Sequence, residues 1–141
     1  MPTEFNDEAL ESFLGKETRP LDEASHIFFP HGYLEGPYRY RSRVNVDEIW
    51  TAKTNHLGIL TFFEGGIVNY TRHLPMDALH IKIPSNTWRM LIVLDYFSGM
   101  ANRMTVGSFE ETDREFAPWA PKDNSPEVQE YLAHLKSFFR Q

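Results

Sequence analysis

Short β-prone runs, each closed by tight-turn chemistry, constrain this chain more than any other feature. Tyr38-Arg39-Tyr40-Arg41-Ser42-Arg43-Val44-Asn45-Val46 alternates over nine residues, as a half-buried strand does. Further β-rich runs span Gly58 to Phe63, Ile67 to Thr71, Leu79 to Ile83, Trp88 to Tyr96 and Arg103 to Val106. Turn residues separate them at Glu64-Gly65-Gly66, Leu74-Pro75-Met76-Asp77 and Pro84-Ser85-Asn86. Strands this short, recurring every ~8–12 residues, imply an antiparallel sandwich or barrel. No internal repeat or low-complexity segment interrupts them.

Both ends read as helical. Asn6 is placed to cap a helix with Asp7 and Glu8 in its first turn, where the helix dipole favours negative charge. Ala9, Leu10, Phe13 and Leu14 form its apolar stripe, and Gly15 is the expected stop. Near the other end Ser125 caps and Pro126 takes the first helical position. Val128, Leu132, Leu135 and Phe139 then recur along one face. Both helices are expected on the outside of the strands, with Glu115 to Asp123 an ordered crossing into the second. At roughly 100–200 residues per domain, the 141 residues make one domain. Its expected parts are a helical segment (1–23), a barrel (24–109), and a crossing and helix (110–141).

Composition narrows the function classes. The chain has no cysteine, which removes disulfides, thiolate metal sites and cysteine nucleophiles. The acidic start lacks a signal-peptide pattern, and no apolar run approaches the ~20 residues of a membrane helix. The expectation is a soluble cytoplasmic protein without membrane contact. A formal charge of −6 argues against nucleic acid as a partner. Residues 1–23 and 110–141 carry 14 of the 20 acidic side chains but only 6 of the 14 Lys and Arg. The middle is therefore slightly basic, which suits either a barrel flanked by solvated helices or one built to receive an anion.

Two motifs bring a family into view. Ile81-Lys82-Ile83-Pro84-Ser85-Asn86-Thr87-Trp88 resembles the second cupin motif, "IPPGTWH", whose histidine completes a metal site. Asp113-Arg114-Glu115-Phe116-Ala117-Pro118-Trp119-Ala120-Pro121 resembles the signature "DKEFAPWAP" of WbuC-type cupins. The resemblance covers about residues 50–121. It implies an all-β-dominated, cupin-like double-stranded β-helix (jelly roll) with short terminal helices, and an association with surface-polysaccharide biosynthesis. It also implies a homodimer, which the aromatic share of 14% would serve; seating the two helices is the other use for those rings.

The departures from the pattern carry the functional reading. Such cupins hold a divalent metal with a His-x-His pair, a Glu and a later His. Aligned without a gap, the family's "WELFVVLRGRL" falls on Trp50-Thr51-Ala52-Lys53-Thr54-Asn55-His56-Leu57-Gly58-Ile59-Leu60. The four ligand positions are then Arg43, Asn45, Thr51 and Arg89. None is a competent ligand, since a guanidinium has no lone pair to give. A one-residue slip would place Asp47 or Glu48 at the Glu position but brings no histidine pair. No metal and no cofactor is expected. Arg43 and Arg89 leave positive charge where a metal would sit, with Arg41 on the strand face of Arg43 and Lys53 on that of Thr51. Planar guanidinium grips oxyanions bidentately, so the expected site is a cationic mouth of Arg41, Arg43, Asn45, Thr51, Lys53 and Arg89. Tyr38, Tyr40 and Trp50 would supply stacking surfaces. The alternative for Arg39 and Arg41 is an outward, solvated strand face.

Acid–base candidates are His56, His73, His80 and Tyr38, with Asp77 and Asp95 as carboxylates for a His–Asp dyad. Isolated strand histidines also serve as satisfied structural residues. His26 and His31 flank the least assignable segment and would be the ligands of a displaced metal site. No nucleophile-elbow serine and no phosphate-cradling loop is present. Three functions follow in order. The first is a metal-independent cupin binding a small anionic or sugar-derived ligand, with isomerisation, epimerisation or elimination as its reaction classes. The second is a non-catalytic sensing or scaffolding cupin. The third is a metal-dependent cupin with non-aligned histidines.

Overall fold

The structure, a computed structural model, describes residues 1–32, 34, 36–122 and 125–139; Asp123, the end of the expected crossing, lies outside them. The chain runs β1 (Thr3–Phe5), α1 (Asp7–Lys16), β2 (Leu21–Phe29), β3 (Tyr38–Tyr40), β4 (Asp47–Ala52), β5 (Leu57–Phe62), β6 (Val68–Leu74), β7 (His80–Ile83), β8 (Trp88–Val93), β9 (Gly99–Val106), β10 (Arg114–Phe116) and α2 (Val128–Lys136). A single 3-10 turn precedes β10 and another follows α2.

Two five-stranded sheets form, ordered β1-β7-β4-β9-β2 and β10-β3-β8-β5-β6, with every pairing antiparallel. From β2 to β10 the chain changes sheet at every step except β5 to β6, which is the path of a jelly roll.

The pleat sends alternate residues of each strand inward. Trp50, Ala52, Leu57, Ile59, Ile81, Ile83, Leu91, Val93 and Ala101 fill the space between the sheets with Phe29 and Leu74. Both helices lie outside, as expected. Leu10, Phe13 and Leu14 of α1 pack on Ile49, Met104 and Val106, the outward residues of β4 and β9. Val128, Leu132, Leu135 and Phe139 cover Leu60, Phe62, Trp88, Met90 and Ile92 on the outside of the other sheet.

Several boundaries differ from the sequence reading. The alternating run from Tyr38 stops at Tyr40, because Arg41 to Val44 turn the chain over to the first sheet, with the Val44 amide bonded to the Arg41 carbonyl. The Trp88 run ends at Val93: the Leu94 amide bonds to the His56 carbonyl, and Asp95 Oδ1 accepts the Phe97 amide in a local turn. β9 begins at Gly99, four residues before Arg103. α1 passes through Gly15 to Lys16, capped by Asn6 as expected. α2 starts at Val128 after a turn at Ser125–Glu127, so Ser125 makes no side-chain cap. Strands β1, β2 and β10 went unrecognised. All three are edge or near-edge strands whose mixed polarity hides the period-two signal.

Candidate ligand-binding site

At the β3 end the lumen turns polar. Tyr38 and Tyr40 point in from β3, Glu48 and Trp50 from β4, Arg89 from β8, Arg103 from β9 and Arg114 from β10. Glu48 is wholly buried and accepts from every side. Tyr38 Oη–H lies 2.9 and 3.0 Å from its two oxygens, Tyr40 Oη–H donates at 2.8 Å, Trp50 Nε1–H at 2.6 Å and Arg89 Nη1–H at 3.0 Å. Burial alone would raise its pKa. The Arg89 charge and the Trp50 and Tyr40 hydrogen bonds outweigh that and hold it below the usual carboxylate value.

Arg89 is spent on the framework. Its Nε–H donates to the Thr87 carbonyl at 2.9 Å and an Nη2–H to the Pro84 carbonyl at 2.6 Å, so the β7–β8 turn closes around the guanidinium. The same burial, followed by the Glu48 charge, raises the Tyr38 phenol well above its ordinary value. Tyr38 is therefore a standing hydrogen-bond donor.

Beside this cluster lies a cavity of about 180 Å³, lined by Ile27, Phe29, Tyr38, Trp50, Leu91, Arg103 and Arg114. It sits between β2 and β10, the edge strands of the two sheets. The Arg103 guanidinium lies 6.0 Å from the Trp50 ring centre, and that of Arg114 lies 4.9 Å from the Tyr38 ring centre. Burial works against the Arg103 charge, yet the Glu48 carboxylate, Tyr38 and Tyr40 together outweigh it and raise its pKa. Beside the Glu48–Arg89 pair, Arg103 and Arg114 bring two further guanidiniums to the cavity wall. A cavity of ~150 Å³ accepts a benzene ring, so this one has room for one six-membered ring.

The arrangement corrects the register of the expected ligand set. Four residues converge in the pattern of a period-two pair, a carboxylate and a late residue, and they are Tyr38, Tyr40, Glu48 and Arg89. Of Arg43, Asn45, Thr51 and Arg89, only Arg89 faces the lumen. The carboxylate lies three residues before Thr51, and an odd shift of register turns every side chain of a strand to the opposite face. Thr51 accordingly points outward to His80. The donor set does not suit a metal: its single carboxylate already takes bonds from four side chains, and a guanidinium occupies the last ligand position. Among the described residues, no group of three or more His, Cys, Asp or Glu stands in metal-binding proximity, at His26 and His31 or elsewhere.

The remaining nominated residues lie outside the barrel. Arg43 is 67% exposed and pairs with Asp113 at 2.6 Å. Arg41 bonds the Thr112 carbonyl and Glu115, and Arg39 pairs with Glu64 and Glu115 above the Trp88 ring. Asn45 is exposed and accepts from Arg19; Lys53 meets Asp77 at the surface. His56 and His73 line a separate outer hollow with Asp95, and His80 is locked between Thr51 and Asp7. Tyr38 and Trp50 are the two nominated residues on the lumen cavity itself. Arg103, Arg114 and the central role of Glu48 were missed, although Ala101-x-Arg103-x-Thr105 carries the period-two spacing that would have turned Arg103 inward.

No protein-family model matches the sequence, and comparison with curated protein sequences gives no match. Solved structures do match. A 4-keto-6-deoxy sugar epimerase, NovW, from the novobiocin cluster of Streptomyces spheroides superposes with a TM-score of 0.63 and 11% identity, over 98% of this chain and 83% of the other. A dTDP sugar isomerase from Desulfovibrio desulfuricans gives 0.54 and 10%, over 80% and 70%. A 3,4-ketoisomerase from Helicobacter canadensis gives 0.51 and 9%, over 82% and 74%. At these identities the likeness is one of fold, a cupin-like double-stranded β-helix barrel.

Proposed function

We propose that this protein takes a small anionic, sugar-derived ligand into its barrel and acts on or senses it without a metal at the usual cupin position. The observation that carries this is the pairing of Arg103 and Arg114 with Tyr38 and Trp50 around one ring-sized cavity. Two guanidiniums attract an oxyanion, an indole face suits the apolar face of a sugar ring, and a phenol locked as donor suits a hydroxyl or carbonyl oxygen. The neighbouring sugar epimerase and isomerases support the reaction class of isomerisation or epimerisation. In such chemistry Arg103 and Arg114 would stabilise negative charge developing on a carbonyl oxygen, with Tyr38 donating to it. Among the described residues that line the cavity there is no histidine, and the reading rests on ligand capture.

The Asp113–Pro121 segment supports a WbuC-type assignment: Arg114 reaches the lumen cavity while Trp119 packs on Phe62 and Trp88. The exposed rings of Phe28, Tyr96, Phe97 and Phe116 support a homodimer. No helix among the described residues is long and apolar enough to cross a membrane, and with the lack of cysteine this supports a cytoplasmic setting.

A thermal-shift screen with sugar nucleotides, sugar acids and small organic acids tests the site. A shift abolished in Arg103→Gln but kept in Arg43→Ala supports it. A shift lost in Arg43→Ala and kept in Arg103→Gln overturns it, as does no shift with any ligand.

A further inference from the structure

Away from the lumen, a hollow of about 350 Å³ lies between the β5–β6 edge of the second sheet and the end of the α2 segment. His56, His73 and Lys136 line it, together with Asp95. Among the described residues, neither imidazole has a hydrogen-bond partner and the Lys136 ammonium has no ion pair. Asp95 is held within its own turn. Its Oδ1 accepts the Phe97 amide at 2.9 Å, while Oδ2 stays 3.9 Å from His56 Nε2, beyond hydrogen-bond reach. Its charge offsets that of Lys136, and the two imidazole N–H groups remain as further donors.

The ring of His56 stands there at a cost. Its backbone is left-handed (φ 66°), a conformation that glycine or asparagine holds with less strain, and the Leu94 amide fixes its carbonyl at 2.8 Å. Glycine would serve the turn itself better, so the imidazole is what this position adds. Strain of this kind collects where a side chain is put to use. His73 is seated against the Phe139 ring, the two rings 5.3 Å apart and nearly perpendicular. His31 holds the remaining wall, with Nδ1 2.9 Å from the Asp95 carbonyl and its ring beside Tyr96.

Independently of the lumen reading, we propose that this hollow is a second binding site, for the phosphate group of a small phosphate monoester. The oxygens of a phosphate ask for donors from several directions. The three free donors come from three elements: the turn before β5, β6 and α2. A carboxylate, with two oxygens, would leave part of that set unused. The hollow is larger than a phosphate alone, and Leu94, Tyr96 and Phe139 offer apolar and aromatic walls to the organic part of the ester.

Titration calorimetry of the full chain, with the histidine ring signals followed by NMR, tests this. The probes are glucose 6-phosphate, inorganic phosphate, glucose and acetate. Glucose 6-phosphate should bind about tenfold more tightly than glucose or acetate, and more tightly than inorganic phosphate. It should shift the His56 and His73 signals and leave those of His80 in place. His56→Asn, which suits the left-handed turn, and Lys136→Met should each weaken that binding about tenfold. Circular dichroism checks the fold of both; should Lys136→Met unfold, His56→Asn and the ring signals decide. Unmoved His56 and His73 signals, or an affinity indifferent to the substitutions, overturn the site. Acetate binding as tightly as glucose 6-phosphate overturns the phosphate class, inorganic phosphate binding as tightly overturns the monoester, and no binding of either phosphate overturns the whole proposal.

Discussion

Arg89 Nη1 donates to Glu48 Oε1 at 3.0 Å in an ion pair whose two side chains have no exposure to solvent. Two charges at this depth repay their desolvation only when every remaining donor and acceptor is also used. Both partners are well supplied: Glu48 also accepts from Tyr38, Tyr40 and Trp50, and each Arg89 nitrogen has an acceptor, with the Thr87 and Pro84 carbonyls taking Nε–H and an Nη2–H. The pair fixes the orientations of Tyr38 and Trp50, two walls of the lumen cavity. Glu48 is thus a positioning residue.

Removing one member should cost far more than removing both. Glu48→Ala or Arg89→Ala leaves a buried charge uncompensated and is expected to lower unfolding free energy by about 3–5 kcal/mol. The double variant Glu48→Leu/Arg89→Met should lose less than the sum of Glu48→Leu and Arg89→Met. Urea unfolding of the four-member cycle measures the coupling, and strict additivity would sink this account.

The outer arginines make the opposite expectation. Arg43 pairs with Asp113 while two-thirds exposed, and Lys53 with Asp77 at the surface. Exposed pairs contribute about 0–1 kcal/mol. Arg43→Ala and Lys53→Ala should each shift stability by less than about 1 kcal/mol, with lumen ligand affinity unchanged in calorimetry. A tenfold loss of affinity in either would return these residues to the site.

What the sequence revealed and what it hid follow from one physical distinction. Periodicity reports where strands and apolar helix faces lie, and it found the strand through Tyr38-x-Tyr40, the Gly58–Phe63 run and the apolar face of α2, while leaving open whether the arginines or the tyrosines of the first face inward. A gapless match to a family pattern carries register across a turn, and it failed between Tyr40 and Asp47. The extra turn there moves the lumen carboxylate to Glu48 and sends Thr51 to the outer face. Arg103 and Arg114 were hidden for a different reason. A buried arginine in a strand looks like a solvated one until its neighbours across the barrel are known, and Glu48 is 55 residues away from Arg103 in the chain.

Packing on the far side gives a third prediction. Gly58 lies on the outward face of β5, directly under the Phe139 ring. A Cβ built there would stand 2.5 Å from that ring. Gly58→Ala must push Phe139 and the end of the α2 segment off the sheet, at about 1–3 kcal/mol as for other overpacked sites. Phe139→Leu should restore part of that loss in the double variant, as thermal denaturation would read. If Phe139→Leu destabilises wild type and Gly58→Ala equally, the steric cause is wrong.

Acid sensitivity should concentrate in one window. Glu17 is held down to about 2, chiefly by its hydrogen bond with the Arg19 side chain, and Glu48 is held below 4.5 against the contrary effect of its burial. A carboxylate with a depressed folded value binds its proton more readily unfolded. Its stabilisation is therefore complete above the unfolded value of 4.5 and is lost as pH falls from there through the folded value. The urea midpoint should be level from pH 7 to about 5 and drop between 4.5 and about 2, less steeply in Glu48→Gln. A midpoint independent of pH in that interval would contradict the role assigned to both carboxylates.

The last prediction separates His80 from the lumen. Helix α1 has no fully buried residue, and its apolar side chains only half cover β4 and β9. A polar clamp supplements them. Thr51 Oγ1 lies 2.6 Å from His80 Nδ1, and His80 Nε2 lies 2.6 Å from Asp7 Oδ1 at the start of the helix. With the Asp7 carboxylate accepting from Nε2–H, Nδ1 accepts the Thr51 hydroxyl, so three elements are tied by one ring. The order resembles a hydrolytic triad, but the hydroxyl is buried on the outside of the sheet and no cavity among those described reaches it. Two hydrogen bonds, the one to Asp7 at a solvent-screened carboxylate, set the scale of the effect at about 1 kcal/mol each. His80→Ala should therefore loosen α1 selectively. Amide exchange over residues 9–16 should speed up by about tenfold, while exchange in β5 and β8 and the affinity of any lumen ligand stay as in wild type. Uniform acceleration across both sheets would mean that the clamp supports the whole fold, and a lost ligand affinity would put His80 back among the catalytic candidates.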